Sequence, residues 1–188
     1  MKGSIAFKEL VKITDNLKGC NKGYVTGGLE MIHVNARAIV VQKIDDEIQI
    51  LIQKRAKQGE PECYELPGGR IEEYESITDA VKREVYEETG LEVIEIENQD
   101  TQIVTHNDES SFSIQCIKPF ASYQTILGPV DSFGVYFICR ASGNLLAQGD
   151  DSLDAHWASI KEINTLISNN NFSEIDKPAV MLYIKERK

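Results

Sequence analysis

Apolar residues along this chain switch between a helical period and a period of two, and the switches predict its elements. Ile5, Leu10, Ile13 and Leu17, with Phe7 and Val11 between them, predict a short amphipathic N-terminal helix. Gly19, Gly23, Gly27 and Gly28 break it and surround a short strand, Tyr24 to Val25. His33 to Lys43, rich in Val, Ile and Ala, predicts a buried strand. Asp45-Asp46 turns it into a second strand, Glu47 to Lys54. Leu91 to Glu97 is a third strand, with alternating apolar residues. Thr101 to Thr105 and Ser111 to Phe120 predict strands around the polar tip His106 to Ser110. Phe120 to Asp131 reads as a long connection, and Ser132 to Ala141 and Ala155 to Ser159 as further strands. Lys161 to Ser168 predicts a helix, Asn169 to Asn171 a linker, and Asp176 as N-cap before Pro178 a last helix to Arg187. The order is mixed rather than regularly strand–helix–strand, which indicates an α+β sandwich.

One helix breaks the ordinary pattern. Residues 76–89 advance by about 100° each, which puts Ile77, Ala80, Val81 and Val85 on one face. Glu84 and Glu88 fall in that same arc and Glu87 at its edge, while Thr78, Asp79, Lys82 and Tyr86 lie on the solvent side. Unpaired buried carboxylates are costly, and clustered like charges raise one another's pKa. A divalent cation relieves both, and hard, oxygen-seeking Mg²⁺ or Mn²⁺ suits an all-carboxylate site. Ser76 with Asp79 forms a capping pattern, and Gly90 is placed to end the helix in the left-handed conformation. Ahead of it, Glu65-Leu66-Pro67-Gly68-Gly69-Arg70 is a loop whose adjacent glycines permit close backbone approach. Lys54, Arg55, Lys57 and Arg70 lie close by in sequence and are candidate contacts for an anionic group, or else solubilising strand-end charges.

Composition narrows the class. With 188 residues, 41% hydrophobic and 27% charged, the chain is one domain with an added arm. It contains no long apolar run, and Met1 to Gly23 lacks a signal-peptide pattern. Cys20, Cys63, Cys116 and Cys139 are scattered without a Cys-x-x-Cys, which indicates reduced, mostly buried thiols in a cytoplasmic protein. A net charge of −10 disfavours a broad nucleic-acid surface. His33 and His106 show no ligand spacing, and His156 reads as structural.

Gly69, Glu75, Arg83, Glu84, Val85, Glu87, Glu88, Gly90 and Leu91 fill every specified position of a 23-residue signature. In this the chain resembles the Nudix hydrolase family. The resemblance implies a mixed β-sheet sandwiched between α-helices, over residues 33–168. Residues 1–32 then form an N-terminal extension, and residues 169–188 a C-terminal linker and helix packed on the domain. It implies Mg²⁺- or Mn²⁺-dependent hydrolysis of a pyrophosphate bond in a nucleoside diphosphate linked to another moiety. Glu84, Glu87 and Glu88 would be the metal ligands, with the Gly69 carbonyl as a fourth. Arg83 would orient a glutamate through a charge-assisted hydrogen bond, and Glu75 would stand behind the ligands or join them. Arg55 and Arg70 are the foremost phosphate contacts. Relatives supply a further carboxylate before a Trp-containing strand; here that stretch is Gly149 to Trp157, with Asp151 first and Asp150 next. The same stretch reads equally as an Asp-rich turn.

The resemblance leaves the substrate open. Members that act on nucleotide sugars or ADP-ribose often have an N-terminal extension and act as homodimers, which favours that class. ADP-ribose members usually have a proline a fixed distance past this signature, the Nudix box, yet residues 98–113 contain none and the next is Pro119. The alternative is a house-cleaning enzyme that removes damaged (d)NTPs. Phe7, Tyr24, Phe112, Phe120 and Tyr123 are the aromatic candidates for stacking on a base, whereas Tyr64 reads as core. The loops at 56–62, 106–111 and 122–131 are of the kind that chooses a substrate. Two other classes, a non-hydrolytic nucleotide sensor and an interaction protein with an acidic docking face, are less favoured, because every ligand position of the box is intact.

Overall fold

A computed structural model describes residues 32–56, 59 and 62–187. The expected N-terminal helix and the strand at Tyr24 lie outside them. The elements in chain order are β1 (His33–Ile44), β2 (Glu47–Arg55), β3 (Tyr64–Glu65), β4 (Gly68–Arg70), α1 (Ile77–Thr89) and β5 (Glu92–Ile96). A 3₁₀ turn at Gln99–Thr101 leads to β6 (Ile103–Asn107), β7 (Phe112–Cys116), β8 (Ala121–Gln124), β9 (Ser132–Ser142), β10 (Gln148–Gly149) and β11 (Ser152–Ser159). The helices α2 (Ile160–Ser168) and α3 (Lys177–Glu186) complete the chain.

Strands β10-β11-β2-β1-β9-β5 form the path of one mixed sheet, with β3 added to β2, β4 to β1 and β8 to β9. Among the described strand–strand ladders only β1–β9 is parallel, and Tyr64 makes an isolated parallel bridge to Phe172. β6 and β7 form a separate two-stranded sheet. Helices cover both faces of the large sheet, as the α+β sandwich requires. In β1 the alternation is explicit: Ala36, Ala38 and Val40 pack with Leu51, Phe137 and the α1 residues Ala80, Val81 and Val85. Ile39 faces the other way, onto Ile50, Ile52, Tyr136 and the residues Ile163, Val180 and Tyr183 of α2 and α3. Each such aliphatic side chain gains about 1.5–3 kcal/mol from burial. No helix among the described residues is long and apolar enough to cross a membrane.

Several expectations need correction. Ala121 to Gln124 is a strand paired antiparallel with Phe133 to Tyr136, so the connection read from Phe120 to Asp131 is a hairpin. Thr78 is buried rather than solvent-facing, because Gln115 of β7 donates to its hydroxyl at 2.9 Å. Cys116 is exposed, and only Cys139 of the described cysteines is buried. Asp176 begins α3 but does not cap it with its side chain. Its carboxylate is fully buried instead, 2.8 Å from Arg37 Nε.

Candidate active site

The box helix is fixed at both ends as its sequence dictates. The Ser76 hydroxyl accepts from Asp79 N at 3.1 Å, and Gly90, with φ 78°, donates to Tyr86 O at 2.8 Å. Ala80, Val81 and Val85 bury one face and leave the carboxylates beside it to meet residues 65–70, which the sequence presents as a loop but which carry the end of β3 and all of β4. That segment is held on β1, where Ala38 N donates to Pro67 O at 2.9 Å and β4 pairs with residues 35–37.

Two consecutive glycines then receive two glutamates. Gly68 has φ 137°, and a Cβ there would lie 2.5 Å from Arg37 Cα and 2.6 Å from Ala36 O. Its N–H donates to Glu88 Oε2 at 2.8 Å. At Gly69 a Cβ would lie 2.6 Å from Glu84 Oε2, so the missing side chain is the space the Glu84 carboxylate uses. Burial pushes Glu88 up to about 8, against the opposing effects of the Gly68 N–H and Arg37. Burial also raises Glu84, although Arg83 acts against it. Glu87 is exposed.

Arg83 engages three glutamates rather than one. Its Nε and Nη2 meet the two Glu75 oxygens at 2.8 and 2.9 Å. Its Nη1 donates to Glu84 Oε1 at 2.8 Å and Glu87 Oε2 at 3.0 Å, and its Nη2 also reaches Arg70 O at 3.0 Å. The hydrogen bonds from Arg83 hold Glu75 below the usual carboxylate range. Among the described residues no three His, Cys, Asp or Glu side chains converge as a ready-made metal cluster. The Arg83 guanidinium supplies the positive charge between Glu84 and Glu87. The donor set still fits a hard divalent cation: it is all oxygen, anionic, partly dehydrated, and backed by a glycine where a side chain would fill the space.

The other expected residues are placed as follows. Asp150 and Asp151 form the turn between β10 and β11, which seats on the last carbonyls of α1. Asp150 N donates to Glu87 O at 3.1 Å and Ser152 Oγ to Glu88 O at 2.7 Å. A Cβ on Gly149 would run into Glu88 O. Asp151 has φ 49°, and its carbonyl accepts from Ala56 N at 2.8 Å. Arg55 Nη1 donates to both Glu65 oxygens, at 3.1 and 3.3 Å, and Arg70 is exposed. Lys54 pairs with Glu62, and Lys57 lies outside the described residues. Tyr123 OH accepts from Asn35 Nδ2 at 2.8 Å, Phe120 packs edge-on to Tyr183, and Phe112 is exposed. Tyr64 is partly buried; its hydroxyl donates to Asp154 Oδ2 at 2.8 Å, and its ring meets His156 edge-on.

A buried charged cluster escaped the sequence reading. Arg37, 6% exposed, touches Glu65 at 3.2 Å and Asp176 at 2.8 Å. Tyr136 OH and Leu66 N also donate to Asp176, at 2.8 and 3.1 Å. Burial raises Glu65, which Arg37 and Arg55 counter. A signal was present, since Arg37 interrupts the otherwise apolar run from Ala36 to Val41.

The NUDIX domain family model matches residues 32–180, most of the chain. The chain belongs to the Nudix hydrolase family. Solved structures show the same fold. The NUDIX domain of Shewanella oneidensis NrtR, complexed with ADP ribose, has a TM-score of 0.59 at 16% identity, over 93% of this chain and 97% of that one. The bifunctional NMN adenylyltransferase/ADP ribose pyrophosphatase of Francisella tularensis, complexed with AMP and a Mn ion, has a TM-score of 0.56 at 17% identity, over 96% of this chain and 47% of that one. A MutT/nudix family protein from Enterococcus faecalis has a TM-score of 0.52 at 18% identity, over 82% of this chain. This Nudix chain spans 51% of the Enterococcus protein, about half its length. No curated protein sequence matches it.

Proposed function

We propose that this Nudix chain hydrolyses the pyrophosphate bond of a nucleoside diphosphate joined to a second moiety, with Mg²⁺ or Mn²⁺ held by Glu84, Glu87 and Glu88. One observation carries the reading: the Glu84 carboxylate occupies the space that a side chain on Gly69 would fill, beside Glu88 on Gly68 N. Two carboxylates set this closely into backbone support a built site over a solvated charge run. A cation bound there would neutralise phosphate oxygens and lower the pKa of the attacking water. The chain's own residues do the rest. Arg83 fixes the orientation of Glu84 and Glu87, and Glu75 fixes Arg83. The Gly69 carbonyl is a further oxygen donor, and Arg55 and Arg70 are the candidates to meet the phosphates. The base that takes the water proton is a box glutamate or Asp151 on the adjoining turn.

The Shewanella domain with ADP ribose and the Francisella ADP ribose pyrophosphatase support a substrate of the ADP-ribose or nucleotide-sugar type. The absence of proline between residues 98 and 113 favours a second reading, a house-cleaning (d)NTP pyrophosphatase. One panel decides between them: AMP, phosphate and pyrophosphate release from ADP-ribose, sugar nucleotides, and ordinary and oxidised (d)NTPs, with Mg²⁺, with Mn²⁺ and without metal. Metal-dependent cleavage of the first group supports the main reading, and of the triphosphates the second. No turnover with either metal would overturn both and leave nucleotide binding without hydrolysis.

A further inference from the structure

Gln53 is wholly buried on β2, and among the described residues neither its amide nitrogen nor its amide oxygen has a hydrogen-bond partner. A buried polar group left unpaired costs about 1–3 kcal/mol, so an amide in this apolar strand needs a reason. Side chains alternate along a strand, which puts Gln53 on the same face as Leu51. Leu51 packs beneath the box helix with Val81 and Val85. One pleat beyond Leu51, the Gln53 carboxamide lies toward Glu88 without closing an aligned hydrogen bond. Among the described residues, Glu88 is otherwise fixed by one side-chain hydrogen bond, from Gly68 N to Oε2 at 2.8 Å. One donor on one oxygen leaves the carboxylate plane free to swing.

We propose that Gln53 is a positioning residue of the metal site, whose carboxamide fixes the plane of the Glu88 carboxylate and closes its hydrogen bond when a divalent cation engages Glu88. The inference rests on Glu84, Glu87 and Glu88 being that site. Partners that orient ligating groups typically govern metal affinity by about 10–100-fold. An apolar side chain of similar length would fill the same space and leave no unpaired amide. Its effect on the fold is therefore opposite in sign to its effect on the metal.

Mn²⁺ alone is the probe, titrated into the full chain and followed by electron paramagnetic resonance, for wild type and Gln53→Leu. The expected result is a dissociation constant raised about tenfold or more, with the metal-free melting temperature unchanged or higher. A Mg²⁺ titration of hydrolysis should shift to higher metal concentration by a similar factor. Gln53→Met is the second variant. Wild-type Mn²⁺ affinity in a folded variant would overturn the inference alone. Failure of both variants to fold would assign Gln53 to the fold and overturn it as well. A wild-type chain that binds no Mn²⁺ would remove the metal site itself, and the inference with it.

Discussion

Gly69→Ala separates the site from the fold. The new Cβ would lie 2.6 Å from Glu84 Oε2 and 2.8 Å from its Cδ and Oε1, where ordinary contact begins at 3.4 Å. Something must therefore yield by about 0.8 Å to reach ordinary van der Waals contact. The atoms in the way are the end of a flexible side chain, so Glu84 gives and the backbone does not. Stability should change by less than about 1 kcal/mol. Activity should change far more, because a misplacement of about 1 Å in a catalytic group can cost about 100-fold, or about 2.7 kcal/mol of barrier. The assay is kcat/KM for the best substrate of the nucleotide panel at saturating Mg²⁺, beside a thermal melt of the same sample. Gly68→Ala is the contrast. Its Cβ would meet Arg37 Cα at 2.5 Å and Ala36 O at 2.6 Å, at a φ of 137° that suits glycine. It should lower the melting temperature. A Gly69→Ala protein with wild-type turnover would refute the reasoning, and so would one that melts as early as Gly68→Ala.

Asp176→Ala removes a fully buried partner of Arg37 and leaves that guanidinium with Glu65. Breaking a buried pair costs about 3–5 kcal/mol, and with Glu65 remaining the lower end is expected, read as a fall of roughly 6–12 °C in melting temperature. The pH dependence of stability has one assignable contribution from His156. Burial opposes its charged form, but bonds to the Asp154 carbonyl and Glu162 outweigh burial and lift it above its ordinary 6.5. A raised folded value means this stabilisation is complete below 6.5 and is lost as pH rises through the folded value. Glu162→Gln should therefore flatten the slope of urea stability just above that pH, by at most about 1 kcal/mol because both groups are partly exposed. An unchanged slope would show the pair contributes nothing.

The sequence made the box helix legible because its signals are local. Ser76, Gly90 and the spacing of Val81, Val85, Glu84 and Glu88 all act within a few turns. The hairpin of β8 and β9 was obscured because Ala121 to Gln124 is short and its partner strand, not its own composition, makes it extended. Thr78 illustrates the same limit, since its burial comes from Gln115 on a hairpin distant in sequence. Asp176 was read as a cap from its place before Pro178, but a charge 2.8 Å away on β1 claims its carboxylate. Long-range charge pairing leaves only a faint local trace, here an arginine among alanines and isoleucines.

The most direct test of the account is the Mg²⁺-dependent turnover of Glu87→Gln against wild type, on whichever nucleotide the panel selects. Glu87 is exposed at the helix edge, so the substitution should leave the melting temperature nearly unchanged. The expected result is a fall in kcat of about 100-fold or more, as when one preorganised charge-stabilising group is lost. Turnover near the wild-type rate would contradict it and remove Glu87 from the metal site.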